Sequence, residues 1–429
     1  MSRQGSQSAK QRFLLAFILI VSLFFAWGVA NSLNDILIPQ FKKAFVLSDL
    51  QTALVQSAFY GGYFLLAMPA AMFSRRFGYK AAVVCGLCIF SLGAFLFYPA
   101  AEMHAYIYFL GALLVLASGL SFLETSANPM VAALGSPETS ERRLNFAQAF
   151  NPFGVLFGVY IGSQFILSDK KLPSNELAHA VVAPYMVIAA CVLLLALVIV
   201  AVKFPPVATA RVEKDTGDSG GFLKLFAHPR FLFGVMAQFF YVAAQVGVWS
   251  FTIRYSLYEL PNLPITNGIV WWHGYLPMPS VVSAALILLV SQTLFTIGRF
   301  IGTALMGRTN PDKLMAIFAG IAVALTLIAA IVGGWTGIIC LAATSFFMSI
   351  MFPTIFAGAI RDLGPLTKSG ASFLVMAIIG GAAAPPIMGL ISGFSSMQYA
   401  MVVPSFCFAV ILAFAWVNYA AHAKRAAPA

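Results

Sequence analysis

The chain has 429 residues, of which 61% are hydrophobic and only 9% are charged. Because ordinary soluble proteins carry about 25% charged residues, this composition excludes a soluble fold and indicates an integral membrane protein. The formal net charge of +11 would suit a nucleic-acid partner, but the bases lie in short segments between apolar runs, so we expect no nucleic acid and a lipid bilayer as the surrounding phase.

Apolar runs long enough to cross a bilayer recur along the whole chain. A transmembrane helix needs about 20 such residues. The sequence predicts an all-α protein with twelve transmembrane helices. These predicted spans are residues 13–39, 52–73, 81–99, 105–131, 144–167, 182–204, 230–258, 283–306, 314–332, 336–360, 371–392 and 398–419. The first run is too long for a signal-peptide core, so we expect it to be retained as a span.

The bases predict the orientation of these spans. Most of them fall in alternate loops, and the loops on the other side hold only Lys42, Lys43, Lys170 and Lys171. Short cytoplasmic loops are enriched in Lys and Arg. Both termini are therefore expected in the cytoplasm.

A polar inner segment divides the predicted spans into two sets of six. We predict an N-terminal six-helix bundle over residues 1–204, a cytoplasmic linker over 205–229 and a C-terminal six-helix bundle over 230–429. This linker contains several glycine and charged residues, which favour a loop.

The two halves also resemble each other. Arg75 and Lys80 follow span two with the spacing that Arg308 and Lys313 show after span eight. Two repeats of the same polarity predict a two-fold axis along the membrane normal, with a substrate site at mid-depth between them.

Two carboxylates stand well inside the predicted spans, Asp35 in span one and Glu124 in span four. A charged acid at a helix centre costs about 2.5–3.5 kcal/mol on insertion scales, so such residues usually mark function. Asn31 and Trp27 precede Asp35 by four and eight residues, which places an acid, an amide and an indole on one helix face. We expect this face to line a cavity.

Span four carries a similar polar stripe, and span five follows it with amides. Asn128 lies four residues after Glu124, and Ser121 lies three before it. In span five, Asn145, Gln148 and Asn151 recur every three residues, close enough to the helical period to predict a shared face that ends at Pro152. This region therefore combines an acid with several hydrogen-bonding amides.

Span seven adds Gln238, Tyr241, Gln245 and Trp249 on one stripe. Amides both donate and accept hydrogen bonds, which suits hydroxyl groups, and aromatic rings suit the C–H faces of a sugar. The alternative is that these amides only join helices, since such bonds are common between spans and contribute about 0.6 kcal/mol on average.

The arginines at the inner ends of spans two and eight permit two interpretations. Arg75, Arg76 and Arg308 either clamp neighbouring helix ends in one conformational state or simply follow the charge rule for cytoplasmic loops. The five cysteines all lie in apolar runs, where a thiol is usually a small core side chain. We find no metal-ligand set, phosphate loop or nucleophile–base set, so an enzyme is not expected.

Several of these motifs together resemble the fucose:proton symporters of the major facilitator superfamily. The resemblance extends from the first span to the last. The matching stretches are NSLNDILIPQ (31–40), QSAFYGGY (56–63), ETSANP (124–129), RLNFAQAFNP (143–152), YVAAQVGVWS (241–250), IRY (253–255) and PTIF (353–356).

The resemblance implies the major facilitator fold and proton-coupled uptake of a neutral monosaccharide across a bacterial inner membrane. It gives Asp35 and Glu124 the role of the family's two essential carboxylates, and Gln148 and Asn151 that of sugar-contacting amides. Ser32 departs from the family, which has a second asparagine there. The outer loop 259–282 also looks longer than usual.

The mechanism that we expect needs no cofactor other than the proton as coupling ion. Burial favours the neutral form of a carboxyl group, so protonated carboxyl groups would let a loaded, monomeric carrier change its accessible side by alternating access. Alternatives are a symporter for glucose, galactose or N-acetylglucosamine, an exporter of amphipathic compounds, a passive facilitator and, least favoured, a membrane enzyme.

Overall fold

A computed structural model describes residues 3–47, 49–166, 174–206, 221–260 and 280–426. These residues form α-helices joined by short turns and 3-10 segments, and no strand occurs among them. A helix satisfies its backbone N–H and C=O groups within its own segment, as a bilayer requires. The prediction of an all-α membrane protein is confirmed.

The helices described in the first half of the sequence range from 4 to 43 residues in length. They are α1 (Arg3–Phe45), α2 (Asp49–Phe77), α3 (Tyr79–Phe95), α4 (Phe97–Glu102), α5 (Tyr106–Ala133), α6 (Ser140–Gln148), α7 (Asn151–Phe165), α8 (Ser174–His179), α9 (Val182–Ala201) and α10 (Gly221–Lys224).

The second half continues the same pattern. Its helices are α11 (Pro229–Glu259), α12 (Ser280–Leu305), α13 (Pro311–Ile331), α14 (Gly334–Met348), α15 (Met351–Ile360), α16 (Thr367–Met376), α17 (Ala384–Phe394) and α18 (Val402–Ala426).

Ten helical segments within the described residues are long and apolar enough to cross a membrane. They include Phe13–Asn34, Tyr106–Ala133 and Pro229–Glu259. Predicted span two falls on α2, and predicted span five falls on α6 and α7; these helices are not among the ten. The total of twelve spans and the cytoplasmic termini stay predictions.

The helices group into two compact units. The first unit contains Met1–Leu232 with Ala359–Ile378, and the second contains Phe233–Gly358 with Ile379–Ala429. Segment Ala359–Ile378, which the sequence analysis assigned to the C-terminal bundle, thus shares its contacts with the first unit. The predicted bundle boundaries were drawn from the chain order alone and stay a prediction.

The first unit is arranged around α5, which packs against α2 and α3, while α1 packs against α7. Glycines bring α1 and α7 into backbone contact. A Cβ atom at Gly28 would overlap the carbonyl oxygen of Asn151, and one at Gly154 would overlap that of Phe25. Only glycine permits this approach, so the sequence fixes the start of α7 against α1.

In the second unit, α13 packs against α14 and α18, and α14 also packs against α12. Gly333 and Gly334 stand at the start of α14, directly after the turn from α13, and their φ angles of 65° and 58° lie in the left-handed region. Glycine adopts this conformation without steric cost. The Glu259 carboxylate accepts a hydrogen bond from the Gly334 N–H at 2.6 Å, which ties the end of α11 to this turn.

Two predicted segments lie wholly or largely outside the described residues. The linker 205–229 is described only up to residue 206 and from 221 onwards, and the outer loop 259–282 lacks a description over 261–279.

Candidate functional site

The buried acid of α5 lies in a cluster of polar side chains. Glu124, Asn128 and Gln148 are 2%, 0% and 4% exposed. Gln148 Nε2 donates to Asn128 Oδ1 at 2.9 Å, so α6 and α5 meet at this point. Among the described residues, no group donates to Glu124 Oε2 and none accepts from Asn128 Nδ2. Since buried polar atoms are normally hydrogen-bonded, the cluster keeps an acceptor and a donor available for a ligand or a proton.

Glu124 has no ion-pair partner in the part of the chain that the structure describes. Tyr63 of α2 is its electrostatic neighbour, and Ser121 Oγ donates to the backbone oxygen of Tyr63 at 3.0 Å, which holds α2 and α5 together there. A carboxyl group without a cation in a dry environment is chemically suited to bind and release a proton. Tyr63 ends the motif QSAFYGGY (56–63) but was not among the predicted site residues.

The polar face predicted on α1 is only partly described. Asp35 lies within α1, but its side chain is outside the described side chains. Trp27 is buried and Asn31 is half-buried. Ser32 is buried, and its hydroxyl donates to the backbone oxygen of Val29 at 3.0 Å. The hydroxyl proton of Ser32 is therefore used by its own helix, although its oxygen can still accept.

The prediction that Asn145, Gln148 and Asn151 share one continuous helix face was wrong. Helix α6 ends at Gln148 and α7 begins at Asn151. Pro152 explains the break, because a proline has no N–H to donate and its ring clashes with the carbonyl four residues earlier, here that of Gln148.

The break sends the three amides to different partners. Asn145 Nδ2 donates to Glu141 O at 2.9 Å, Gln148 bonds Asn128 as described above, and Asn151 Nδ2 donates to Phe24 O of α1 at 3.1 Å. Asn151 thus anchors α7 to α1, beside the glycine contact.

The second unit has its own polar stripe, on α11. Gln238 and Tyr241 are fully buried, and neither the Gln238 amide atoms nor the Tyr241 hydroxyl has a hydrogen-bond partner among the described residues. Gln245 and Trp249 follow on the same face and are half-buried. Trp249 Nε1 donates to Ser345 Oγ at 3.2 Å. The predicted stripe is present as one face of a single helix.

Arg299 of α12 belongs to the same region, although the sequence analysis gave it no role. It is buried, its Nε donates to Ser349 O at 2.7 Å, and its guanidinium lies 4.5 Å from the ring centre of Phe295. It also interacts electrostatically with Tyr241. The available signal was a base inside a predicted span, which by itself indicates function.

The predicted gating arginines differ in their surroundings. Arg75 Nη1 donates to Ser369 Oγ of α16 at 3.3 Å, whereas Arg76 and Arg308 are exposed. Three further side chains that were not predicted from the sequence, Lys368, Arg361 and Glu141, make long-range contacts within the first unit. Lys368 donates to Ser74 O at 3.1 Å, and Arg361 forms an ion pair with Glu141.

Comparison with known proteins agrees with this architecture. Residues 15–378 match the Major Facilitator Superfamily. The L-fucose-proton symporter of Escherichia coli (strain K12) is 43% identical over 422 residues, which cover 94% of this chain and 93% of that protein. The glucose/galactose transporter of Brucella abortus biovar 1 (strain 9-941) is 34% identical over 413 residues and covers 94% of each chain.

A solved structure is similar as well. The crystal structure of the transporter FucP in the outward conformation superposes with a TM-score of 0.82 at 41% identity, covering 95% of this chain and 99% of that one. The similarity to these transporters, in sequence and in fold, thus extends over almost the whole chain. The chain belongs to the Major Facilitator Superfamily, within the family of the fucose:proton symporters.

Proposed function

We propose that this protein is a proton-coupled symporter that imports a neutral monosaccharide, L-fucose or a related hexose, through a bacterial inner membrane by alternating access. One observation carries the proposal at the level of the site. Glu124 is buried without a cation among the described residues, and it lies one helical turn from an amide, Asn128, that keeps a free donor. A proton site therefore adjoins a hydrogen-bonding site.

The proton is the coupling ion, and no other cofactor is required. Glu124 and Asp35 take up the proton. Neutralisation removes the energetic penalty of a bare carboxylate away from water and so permits the loaded carrier to change the side to which it opens. One positive charge that moves through 100 mV is worth about 2.3 kcal/mol, enough for about fifty-fold accumulation of a neutral sugar.

The sugar hydroxyls and ring faces contact amides and aromatic side chains in each unit. In the first unit these are Trp27, Asn31, Ser32, Asn128, Gln148 and Asn151. In the second unit they are Gln238, Tyr241, Gln245 and Trp249. Arg75, Arg76 and Arg308 take part in the conformational change, and the protein works as a monomer.

Glucose or galactose is the second candidate substrate, because relatives described as glucose/galactose transporters match the chain over the same length. Ser32 supports keeping both candidates, since its hydroxyl is shorter than the asparagine expected at this position in the fucose transporters. The identity of the sugar depends on a few such side chains.

Uptake by proteoliposomes tests the substrate. We expect radiolabelled L-fucose to accumulate under an imposed proton gradient, and unlabelled competitors to rank the hexoses. If unlabelled glucose or galactose inhibits uptake at a lower concentration than unlabelled L-fucose does, the second candidate is favoured. Failure of every monosaccharide to accumulate or compete would contradict the proposal.

A further inference from the structure

Two histidines face each other at one end of the first unit, on the side that the charge distribution predicts to be periplasmic. His104 lies in the turn between α4 and α5, and His179 is the last residue of α8. Their ring centres are 5.6 Å apart, and the ring planes cross at 64°. Neither imidazole takes part in the proposed transport cycle.

The hydrogen bond of His104 defines which of its nitrogens is free. His104 Nδ1 lies 3.0 Å from the backbone oxygen of Glu102. A carbonyl oxygen only accepts, so this contact is a hydrogen bond in the tautomer that carries the proton on Nδ1, and that tautomer leaves the Nε2 lone pair available to a metal ion. This arrangement, with one ring N–H donated to a backbone carbonyl, is the one that orients histidines which bind metal ions.

The backbone around both histidines is held in place. His104 has a φ of 48°, in the left-handed region, and its N–H donates to Ala101 O at 3.1 Å. Helix α8 packs against α4, and Gln40 Nε2 of α1 donates to Leu177 O of α8 at 2.7 Å. The two imidazoles therefore project from fixed elements rather than from a free loop end.

The spacing of the two rings suits a shared metal ion. A zinc ion binds histidine nitrogen at about 2.0–2.1 Å in tetrahedral geometry, which places the two ring centres roughly 5 Å apart. The observed 5.6 Å is close to this value. Among the described residues no group of three or more metal-ligating side chains occurs, so water molecules would fill the other positions.

We propose that His104 and His179 form a binding site for a divalent transition metal ion of the zinc class. The two imidazole nitrogens are the protein ligands, and the bound ion connects the turn before α5 to α8. Imidazole suits zinc, copper and nickel, whereas the oxygen-preferring ions Mg²⁺ and Ca²⁺ should not bind here.

Calorimetric titration of the purified, tag-free protein with ZnCl₂ tests this site. We expect one high-affinity equivalent per chain in the wild-type protein. His104→Asn, which tolerates the left-handed backbone, and His179→Gln should each weaken binding at least tenfold. His228→Gln is the matched control, because His228 is exposed in another part of the chain. His273 and His422 remain in every variant, so their contribution is common to all.

Equal zinc affinity in the wild type and both variants would overturn the proposal, as would the absence of binding to the wild type at millimolar ZnCl₂. A second measurement needs no variant. Zinc should protect His104 and His179 of the wild-type protein from modification by diethyl pyrocarbonate, read by mass spectrometry, and should leave His228 reactive. Unprotected His104 and His179 at saturating zinc would likewise overturn it.

Discussion

The polar residues inside the helices can either bind a ligand or hold helices together. The hydrogen-bond partners of single buried side chains distinguish these two roles. An amide that joins helices already has its partner in the structure, as Gln40 has in the backbone oxygen of Leu177. Gln238 differs, because both of its amide atoms are buried and unpaired among the described residues. A buried polar group without a partner costs about 1–3 kcal/mol, so its presence favours a functional role.

The Gln238→Leu variant tests this interpretation. We expect sugar binding to weaken by about 0.5–1.5 kcal/mol or more, because the hydrogen bonds to sugar hydroxyls are lost. The midpoint of thermal unfolding should stay the same or rise, since the unpaired amide is removed. Tryptophan fluorescence would report the binding.

Gln40→Leu provides the opposite control. It removes a hydrogen bond to Leu177, so it should lower the unfolding midpoint and leave sugar affinity nearly unchanged. If the Gln238→Leu variant binds sugar with wild-type affinity, Gln238 has no role in sugar binding.

Glu124→Gln should separate sugar binding from proton coupling. The glutamine resembles the protonated acid, so we expect exchange of labelled sugar between equal pools to persist while accumulation against a gradient is lost. Exchange requires no net proton movement. Glu138→Gln, at an exposed position, is the control and should accumulate sugar normally. Accumulation at the normal rate by Glu124→Gln would exclude Glu124 as the proton-coupling residue.

Whole helices show how far sequence reasoning reaches. The four-residue spacing of Glu124 and Asn128 predicted that the two side chains share a helix face. This prediction was possible from the sequence because both residues belong to one helix. The bond from Gln148 to Asn128 was not predictable, since it depends on how α6 packs on α5 after a turn. The break before Asn151 had a local signal in Pro152, whose effect on the preceding turn was underestimated.

Close packing of α1 and α7 predicts a strong effect of a small substitution. In Gly28→Ala the new Cβ atom would meet the Asn151 carbonyl, so the helices must separate. Overpacking of this kind costs about 1–3 kcal/mol, and we expect a lower unfolding midpoint together with weaker sugar binding, because Asn151 is displaced.

Gly111→Ala is the matched control for this substitution. Its Cβ would meet nothing within 4 Å in the described structure, and alanine in place of glycine favours a helix by about 0.5–1 kcal/mol. A Gly28→Ala protein as stable as Gly111→Ala would contradict the close contact between α1 and α7.

At the scale of the whole molecule, hydropathy predicted an all-helical membrane protein correctly, because the length of an apolar run relates directly to the bilayer thickness. The grouping of Ala359–Ile378 with the first unit was not predictable. It rests on contacts such as Arg75 with Ser369, which are 294 residues apart in sequence, and no local pattern encodes a contact of that range.

The orientation predicted from the loop charges can be measured by labelling. Single cysteines at Met103 and His228, both exposed positions, are introduced after the five native cysteines are replaced. We expect an impermeant maleimide added to intact cells to label Met103→Cys and not His228→Cys, with both labelled after lysis. The reverse pattern would mean that the positive-inside rule gives the wrong orientation here.

Sugar-driven proton movement is the most direct test of the central claim. Membrane vesicles that contain the wild-type protein, either inverted or right-side-out, are suspended in weak buffer without an energy source. L-fucose is then added, and the external pH is recorded. For right-side-out vesicles we predict alkalinisation of the medium when sugar enters with protons, and no change with Glu124→Gln although that variant still exchanges sugar. Sugar entry by the wild-type protein without any pH change would contradict proton coupling.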